Sequence, residues 1–117
     1  MKATAPWIEK FVTDALPEII RRYRPQKLIL FGSRALGTAN EDSDLDVIVV
    51  AERFEGIPFL RRMPMLLRQT TLEKHVDYLC YTPEEFDRVR TSSAIVAAAL
   101  QEGIVLIDDG ELLAKTP

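Results

Sequence analysis

Four short apolar runs alternate with stretches in which apolar residues recur every three or four positions. Apolar runs of this length are typical of buried strands, whereas the longer spacing is typical of amphipathic helices. The alternation predicts an α/β (α+β) fold, with a small mixed sheet of three to four strands flanked by helices. The predicted strands are residues 27–31, 44–50, 75–81 and 104–107.

The first two helical patterns both contain proline. From Ile8 to Tyr23 apolar residues keep helical spacing, so we expect a helix that Pro25 ends and in which Pro17 either introduces a kink or starts a second turn. Residues 59–72 also fit a helix, with apolar residues at positions 60, 63, 66 and 67. We expect the arginines of this segment to lie on its solvated face; they are Arg61, Arg62 and Arg68.

Two further helices carry clear start signals. Thr82-Pro83-Glu84-Glu85 has a capping threonine, a proline at the first helical position and a glutamate placed for a capping box. Residues 94–102 form the last helical pattern, which Ser92 or Ser93 can cap and Gly103 closes.

Length and composition limit what the chain can enclose. With 117 residues, 47% of them hydrophobic, the chain suffices for one packed domain, which we expect to span residues 1–117. A domain of this size buries about two thirds of its unfolded surface, which leaves little material for a cleft around a large acceptor. We therefore expect part of any large substrate to lie on another chain.

Charge and cysteine content restrict the partners and the compartment. The net charge is −3, so the chain does not have the excess of basic residues that binds nucleic-acid backbones. This disfavours a long nucleic-acid partner. Cys80 is the only cysteine, fits a reducing compartment and is expected to be a small buried strand residue. Since the sequence shows neither a signal core nor the roughly 20 apolar residues of a membrane span, we expect a cytoplasmic protein.

The segment GSRALGTANEDSDLDVIVV, residues 32–50, places acids directly before a buried run. A calcium loop would fit Asp42, Asp44 and Asp46, but Val47 and Arg53 stand where the loop needs glycine and glutamate. A phosphate-binding P-loop would need lysine at position 38, which is threonine. Neither motif is satisfied.

An Asp-x-Asp pair on a strand explains the acids better. Asp44 and Asp46 would point to one face, about 6.7 Å apart along the chain. Asp77, the only acid inside the third run, would join them if the two strands are neighbours. Three such carboxylates suit Mg²⁺, which would neutralise their repulsion. The ordinary alternative is that Asp44 ends a turn, Asp46 faces solvent and Asp77 pairs with an arginine.

These residues carry a family resemblance. Gly32-Ser33, ten intervening residues and Asp44-Leu45-Asp46 resemble the G-S-x₁₀-D-x-D signature of the polymerase-β-type nucleotidyltransferase superfamily. The segments LFGSRALG, SDLDVIVV, VDYL, TPEEF and EGIVLI resemble the stand-alone minimal nucleotidyltransferases, so the likeness extends over residues 27–107. Many of that family are antitoxins that act beside a HEPN-domain toxin.

The resemblance implies a nucleotidyltransferase fold, two Mg²⁺ ions and ATP as the substrate. It implies transfer of AMP to a hydroxyl, commonly a tyrosine, of a partner toxin, and hence a hetero-oligomer. Asp44, Asp46 and Asp77 would be the catalytic and metal-binding residues, and Gly32 and Ser33 would bind the nucleotide. Arg34 would either reach the nucleotide or brace the turn, and Leu36 stands where family members often have a second arginine.

Two alternatives stay open on the sequence. The chain could be a catalytically inert antitoxin that neutralises its toxin by covering it. The same chemistry also permits transfer to a small molecule such as an aminoglycoside, although such enzymes usually have an additional domain to hold the drug.

Overall fold

The computed structural model describes residues 6–32, 45–70 and 76–113. Helical structure runs through Pro6–Lys10 (α1), a π-helical turn at Phe11–Ala15 and Leu16–Tyr23 (α2). The later helices are Phe59–Gln69 (α3), Pro83–Ser92 (α4) and Ala94–Glu102 (α5), with a 3₁₀ turn at Glu52–Phe54. Among the helices of these ranges, none combines the length and the hydrophobicity needed to cross a bilayer.

The predicted disturbance at Pro17 takes the form of a π-helical turn. Proline has no N–H and cannot continue the α-helical ladder, and in the turn just before it the Leu16 N–H bonds to the Phe11 carbonyl, five residues back. The helix ends at Arg24, whose backbone adopts the left-handed conformation and whose N–H bonds to the Ile20 carbonyl at 3.0 Å. The predicted helix between Ile8 and Tyr23 is therefore confirmed, with its irregularity at the proline.

The sheet has five strands in the order β3-β2-β1-β4-β5. They are Lys27–Phe31 (β1), Leu45–Val50 (β2), Val76–Tyr81 (β3), Ile104–Asp108 (β4) and Glu111–Leu112 (β5). β1 is antiparallel to β2 and β4, β2 is parallel to β3, and β4 forms a hairpin with β5. The predicted mixed sheet flanked by helices is confirmed.

The sheet has one strand more than the three to four that we predicted. β5 is only two residues long and shows no hydrophobic pattern of its own. Its hairpin turn is Asp109-Gly110, in which both residues have positive φ angles of 50° and 78°. Two-residue hairpin turns favour the pair Asp-Gly, so this dipeptide in the sequence could have predicted β5.

Helices cover both faces of the sheet, which explains why β2 is apolar almost throughout. On one face, alternate strand residues pack against α1, the π-helical turn, α2 and α3. The helical residues of this cluster include Ile8, Phe11, Ile19 and Leu66. On the other face, Ile29, Ile48 and Val50 pack against α4 and α5 through Phe86, Val96 and Ala99. Cys80 is buried, as we expected, and Phe11 is buried as well.

Arg62 corrects one prediction about α3. Arg61 and Arg68 are exposed, but Arg62 is only 4% exposed. Its guanidinium donates to the carbonyls of Ile57 at 2.8 Å and Cys80 at 3.0 Å, and to both carboxylate oxygens of Glu85 at 2.5 and 3.2 Å. Arg62 lies one helical turn before the buried Leu66 and therefore shares its inward face.

Glu85 links this arginine to the start of α4. Its Oε1 accepts the Thr82 N–H at 2.9 Å, while the Thr82 hydroxyl accepts the Glu85 N–H at 3.2 Å, so the predicted capping box is present. Because the same carboxylate holds Arg62, its pKa lies below the ordinary carboxyl value, chiefly through the side-chain hydrogen bond from that arginine. The pair fixes α3 against β3 and α4.

Candidate functional site

Two acids meet at the edge of the sheet where β1 ends and β2 and β3 begin. Asp46 and Asp77 are the second residues of their strands and are paired in the parallel register of β2 and β3. Neighbouring strands lie about 4.8 Å apart, so the two side chains leave the same face side by side. Both residues are partly buried, and this face is the one that Ile48 and Leu79 share with α4 and α5. The structure thus brings together two of the three acids predicted from the sequence.

Gly32 follows β1 directly and lies against Asp46. Its φ of +89° is in the region that favours glycine, and a Cβ at this position would lie 2.3 Å from Oδ2 of Asp46. In the sheet, the preceding residue Phe31 is the register partner of Asp46. The backbone therefore approaches the carboxylate more closely than any residue with a side chain would allow.

The remaining predicted site residues lie outside the described parts of the chain. These are Ser33, Arg34 and Asp44. Their roles stay predictions. In the described residues β2 runs from Leu45 to Val50; Asp44, where we expected the strand to begin, lies outside them.

A groove of about 360 Å³ opens over the acid pair. Asp46 and Asp77 line it together with the apolar side chains of Phe31 and Leu79 from the strands. Phe59, Leu60 and Met63 of α3 and Ile95 of α5 also line it. Within the described ranges, the two carboxylates are therefore the only charged groups that line the groove.

The helical spacing had placed Leu60 on the packed side of α3, which is wrong. Leu60 is 85% exposed, and its neighbour Phe59 is 43% exposed. Leu60 lies in the first turn of α3, before the part of the helix that packs on the core through Leu66. The apolar groove was missed for this reason, because hydrophobic periodicity alone assigns such residues to a core.

The residues present fit a divalent cation bound together with a substrate phosphate. Mg²⁺ usually takes one or two carboxylates from the protein and completes its shell with water and phosphate oxygens. Asp46 and Asp77 supply two carboxylates from adjacent strands beside an open groove. In the parts of the chain that the structure describes, no cluster of three or more potential ligands is formed.

Cys80 is unsuited to act as a nucleophile. It is buried on the opposite face of β3 from Asp77, and burial raises the pKa of its thiol to about 12. A thiol must ionise to attack, and at neutral pH this one stays protonated. The chemistry of the site therefore depends on oxygen ligands.

Comparisons with known proteins agree with this fold. Among solved structures, the chain is similar to a presumed nucleotidyltransferase from Sulfolobus solfataricus, with 20% identity and a TM-score of 0.60 over 99% of this chain and 97% of that one. That likeness shows a shared fold. BolA1 from Arabidopsis thaliana matches 73% of this chain and 98% of its own at 20% identity, with a TM-score of 0.45 that is too low to carry an argument.

Comparison with curated protein sequences gives no significant match. The sequence profile of the family described as "Nucleotidyltransferase domain" matches residues 13–106. This range is most of the chain and contains Gly32, Asp46 and Asp77. The chain therefore belongs to the nucleotidyltransferase domain family.

Proposed function

We propose that this protein transfers AMP from ATP to a hydroxyl of a protein acceptor, and that it is the minimal-nucleotidyltransferase antitoxin of a cytoplasmic HEPN-toxin pair. The family assignment supports nucleotidyl transfer in general. The observation that carries the proposal is the register pairing of Asp46 with Asp77 directly beside Gly32. The choice of AMP, of a protein acceptor and of the toxin rests on the resemblance of the sequence motifs.

Asp46 and Asp77 would hold the divalent cations, with Asp44 as the third carboxylate. Bound Mg²⁺ would offset the negative charge of the triphosphate and lower the pKa of the acceptor hydroxyl. The position of the acids at a strand edge beside an open groove leaves room for phosphate oxygens to complete the coordination.

The residues of the chain have separable tasks in the transfer. The turn at Gly32 and Ser33 would hold the triphosphate through backbone N–H groups and the serine hydroxyl, with Arg34 as a further candidate. Asp77 would accept the proton of the acceptor hydroxyl. The acceptor oxygen then bonds to the α-phosphorus, the bond from that phosphorus to the bridging oxygen breaks, and pyrophosphate leaves.

Labelling with ATP tests this function. We expect the protein, incubated with Mg²⁺, α-labelled ATP and a candidate all-helical toxin, to place label on the toxin. Asp46→Asn and Asp77→Asn should each reduce labelling by about 100-fold or more, because each removes a charged ligand at the reacting phosphate. The matched control is Asp108→Asn, which changes an aspartate of β4 that pairs with Lys27 away from the groove.

Transfer that survives the double substitution Asp46→Ala plus Asp77→Ala would contradict the mechanism. An inert antitoxin that acts by binding alone is the second candidate. The exposed Leu60 and Ile95 support it, because they offer an apolar surface for contact with a toxin that does not depend on transfer. If the double variant neutralises the toxin as well as the wild type does, binding alone is sufficient.

A further inference from the structure

A second groove lies at the other end of β1 from the acid pair. We call it the hairpin groove, and its volume of about 390 Å³ is within the range of small-ligand sites. It is lined by Ile20, Arg21 and Arg24 around the end of α2 and by Ile107, Gly110 and Leu112 of the β4–β5 hairpin. Arg24 precedes β1 and Gly32 follows it, so the length of this five-residue strand, about 16 Å, separates the groove from the acids.

The apolar part of the hairpin groove comes from a pair of strand residues. Ile107 and Leu112 are register partners in β4 and β5, so their side chains lie on one face of the sheet, beside Ile20 of α2. Among the six large apolar side chains that are exposed in the described residues, Leu112, at 45%, is the only one that lines this groove. This area suits the body of a small ligand, since a contact with a whole protein needs a larger patch.

The charge of the hairpin groove is positive. Its described lining contains two guanidinium groups, those of Arg21 and Arg24, and no carboxylate. Arg21 is bound to Glu18, whereas Arg24 forms no ion pair with another described residue. The hairpin acids Asp108 and Glu111 alternate with the apolar pair along their strands and therefore lie on the opposite face. The groove thus favours an anion.

Arg24 occupies a backbone position that usually favours glycine. Its φ of 46° and ψ of 60° are left-handed, and its N–H bonds to the Ile20 carbonyl at 3.0 Å to end α2. A residue with a Cβ is strained in this conformation, and for this reason helices commonly end in glycine. Glycine would serve the turn better than arginine does, so the guanidinium accounts for this residue better than the backbone.

The two walls of the hairpin groove are joined by backbone hydrogen bonds. The Gly110 N–H donates to the Gln26 carbonyl at 3.0 Å, and the Gln26 N–H donates to the Val50 carbonyl at 2.7 Å. The segment after α2 is therefore fixed both to the hairpin turn and to β2. A groove with walls held in this way is preformed, as small-ligand sites usually are.

We propose that the hairpin groove binds a small amphiphilic anion, with a carboxylate or phosphate head on Arg24. The planar guanidinium matches either head with two parallel hydrogen bonds. The apolar body of the ligand lies against Ile20, Ile107 and Leu112. This site is separate from the acid pair, so the proposal does not depend on nucleotidyl transfer.

The test follows the methyl signals of Ile20, Ile107 and Leu112 in the full chain by nuclear magnetic resonance during titration with three probes. Octanoate and phenyl phosphate carry the two anionic heads. At least one of them should shift these signals in a saturable way, and the tighter of the two identifies the head group. Octylammonium, with an apolar body and the opposite charge, should bind at least about tenfold more weakly than the tighter anion.

Two outcomes of these titrations would overturn the proposal. The first is that neither anion shifts the three methyl signals. The second is that octylammonium binds as tightly as the tighter anion, because the arginines would then play no part in recognition.

Arg24→Gly separates ligand binding from folding. It should unfold at a urea concentration close to that of the wild type, because relief of the left-handed strain offsets the greater freedom of glycine in the unfolded chain. Its affinity for the anion should fall by about tenfold or more, since a charge-assisted hydrogen-bonding group is lost. Unchanged affinity in this variant would contradict the proposal.

Leu112 and Leu113 form a matched pair for the apolar part. Leu112→Asp should weaken anion binding by about tenfold or more, because it replaces an apolar contact with a repelling charge. Leu113→Asp, at a side chain that is 44% exposed but does not line the groove, should leave binding unchanged. Equal effects of the two variants would rule out the groove as the site. A wild-type dimer in sedimentation that Leu112→Asp converts to a monomer would instead identify a contact between copies and overturn the proposal.

Discussion

At the scale of single residues, Gly32 shows how closely the backbone packs against Asp46. Its backbone needs a positive φ, and its missing side chain leaves space that Oδ2 of Asp46 occupies. The two requirements have different consequences, since strain in φ affects folding wherever it occurs, whereas a clash with Asp46 moves a predicted metal ligand. Gly56 has a similar φ of +83° but nothing within 4 Å of the position of a Cβ, so it separates the two effects.

Gly32→Ala should therefore reduce both stability and transfer activity, whereas Gly56→Ala should reduce stability alone. We expect each to lower the free energy of unfolding by about 1 kcal/mol through backbone strain, and Gly32→Ala to lose transfer activity by about tenfold or more as well. Urea denaturation measures the first effect and labelling with α-labelled ATP the second. Equal activity in the two variants would show that Gly32 serves the turn alone.

At the scale of secondary-structure elements, the ion pair of Arg62 and Glu85 joins α3, β3 and α4. Because this arginine holds the Glu85 carboxylate in its charged form, the folded state has a lower pKa for that group than the unfolded state. The stabilisation is present at pH values above the ordinary carboxyl pKa and is lost as the pH falls through the lower pKa of the folded state. As the pH falls, the packing of α3 should therefore loosen before the hydrophobic core unfolds.

Glu85→Gln should remove this pH dependence and destabilise the fold. The uncharged side chain leaves the buried Arg62 without a counter-charge, at a cost of about 1–3 kcal/mol in the free energy of unfolding at neutral pH. Denaturation at several pH values below neutral would show a shallower decline in the variant. Glu84→Gln, an exposed neighbour in the same helical turn, is the control and should change stability by less than about 0.5 kcal/mol. A pH profile of Glu85→Gln parallel to that of the wild type would contradict this role.

At the scale of the whole molecule, the helices cover both faces of the sheet and leave the acids at one open edge. β3 is an edge strand, yet its inward residues are buried by α3 and by the first helices. Cys80 lies among them, so its thiol reports whether this edge opens separately from the rest of the core.

Cys80 should react with iodoacetamide only when the whole domain unfolds. Burial and a pKa of about 12 both suppress the thiolate in the folded state. For a domain of ordinary stability, native labelling should be about 10³-fold or more slower than labelling in denaturing urea. Labelling within about tenfold of the denatured rate would show that β3 opens locally.

The sequence by itself determined the local structure and the identity of the chemically informative residues. Helical and strand periods, the capping box before α4 and the spacing of Gly32, Asp44 and Asp46 depend on neighbours in the chain, so they can be read from it. The turn Asp109-Gly110 carried the same kind of signal for β5.

Only the tertiary structure decided which distant residues meet. The pairing of Asp46 with Asp77 depends on β2 and β3 being parallel neighbours, and no local pattern encodes that choice. Arg62 is buried because Glu85 lies opposite it, and Leu60 is exposed because α3 begins beyond the core. Burial and pairing are properties of packed surfaces, whereas a hydrophobic pattern gives only the preference of each residue for such a surface.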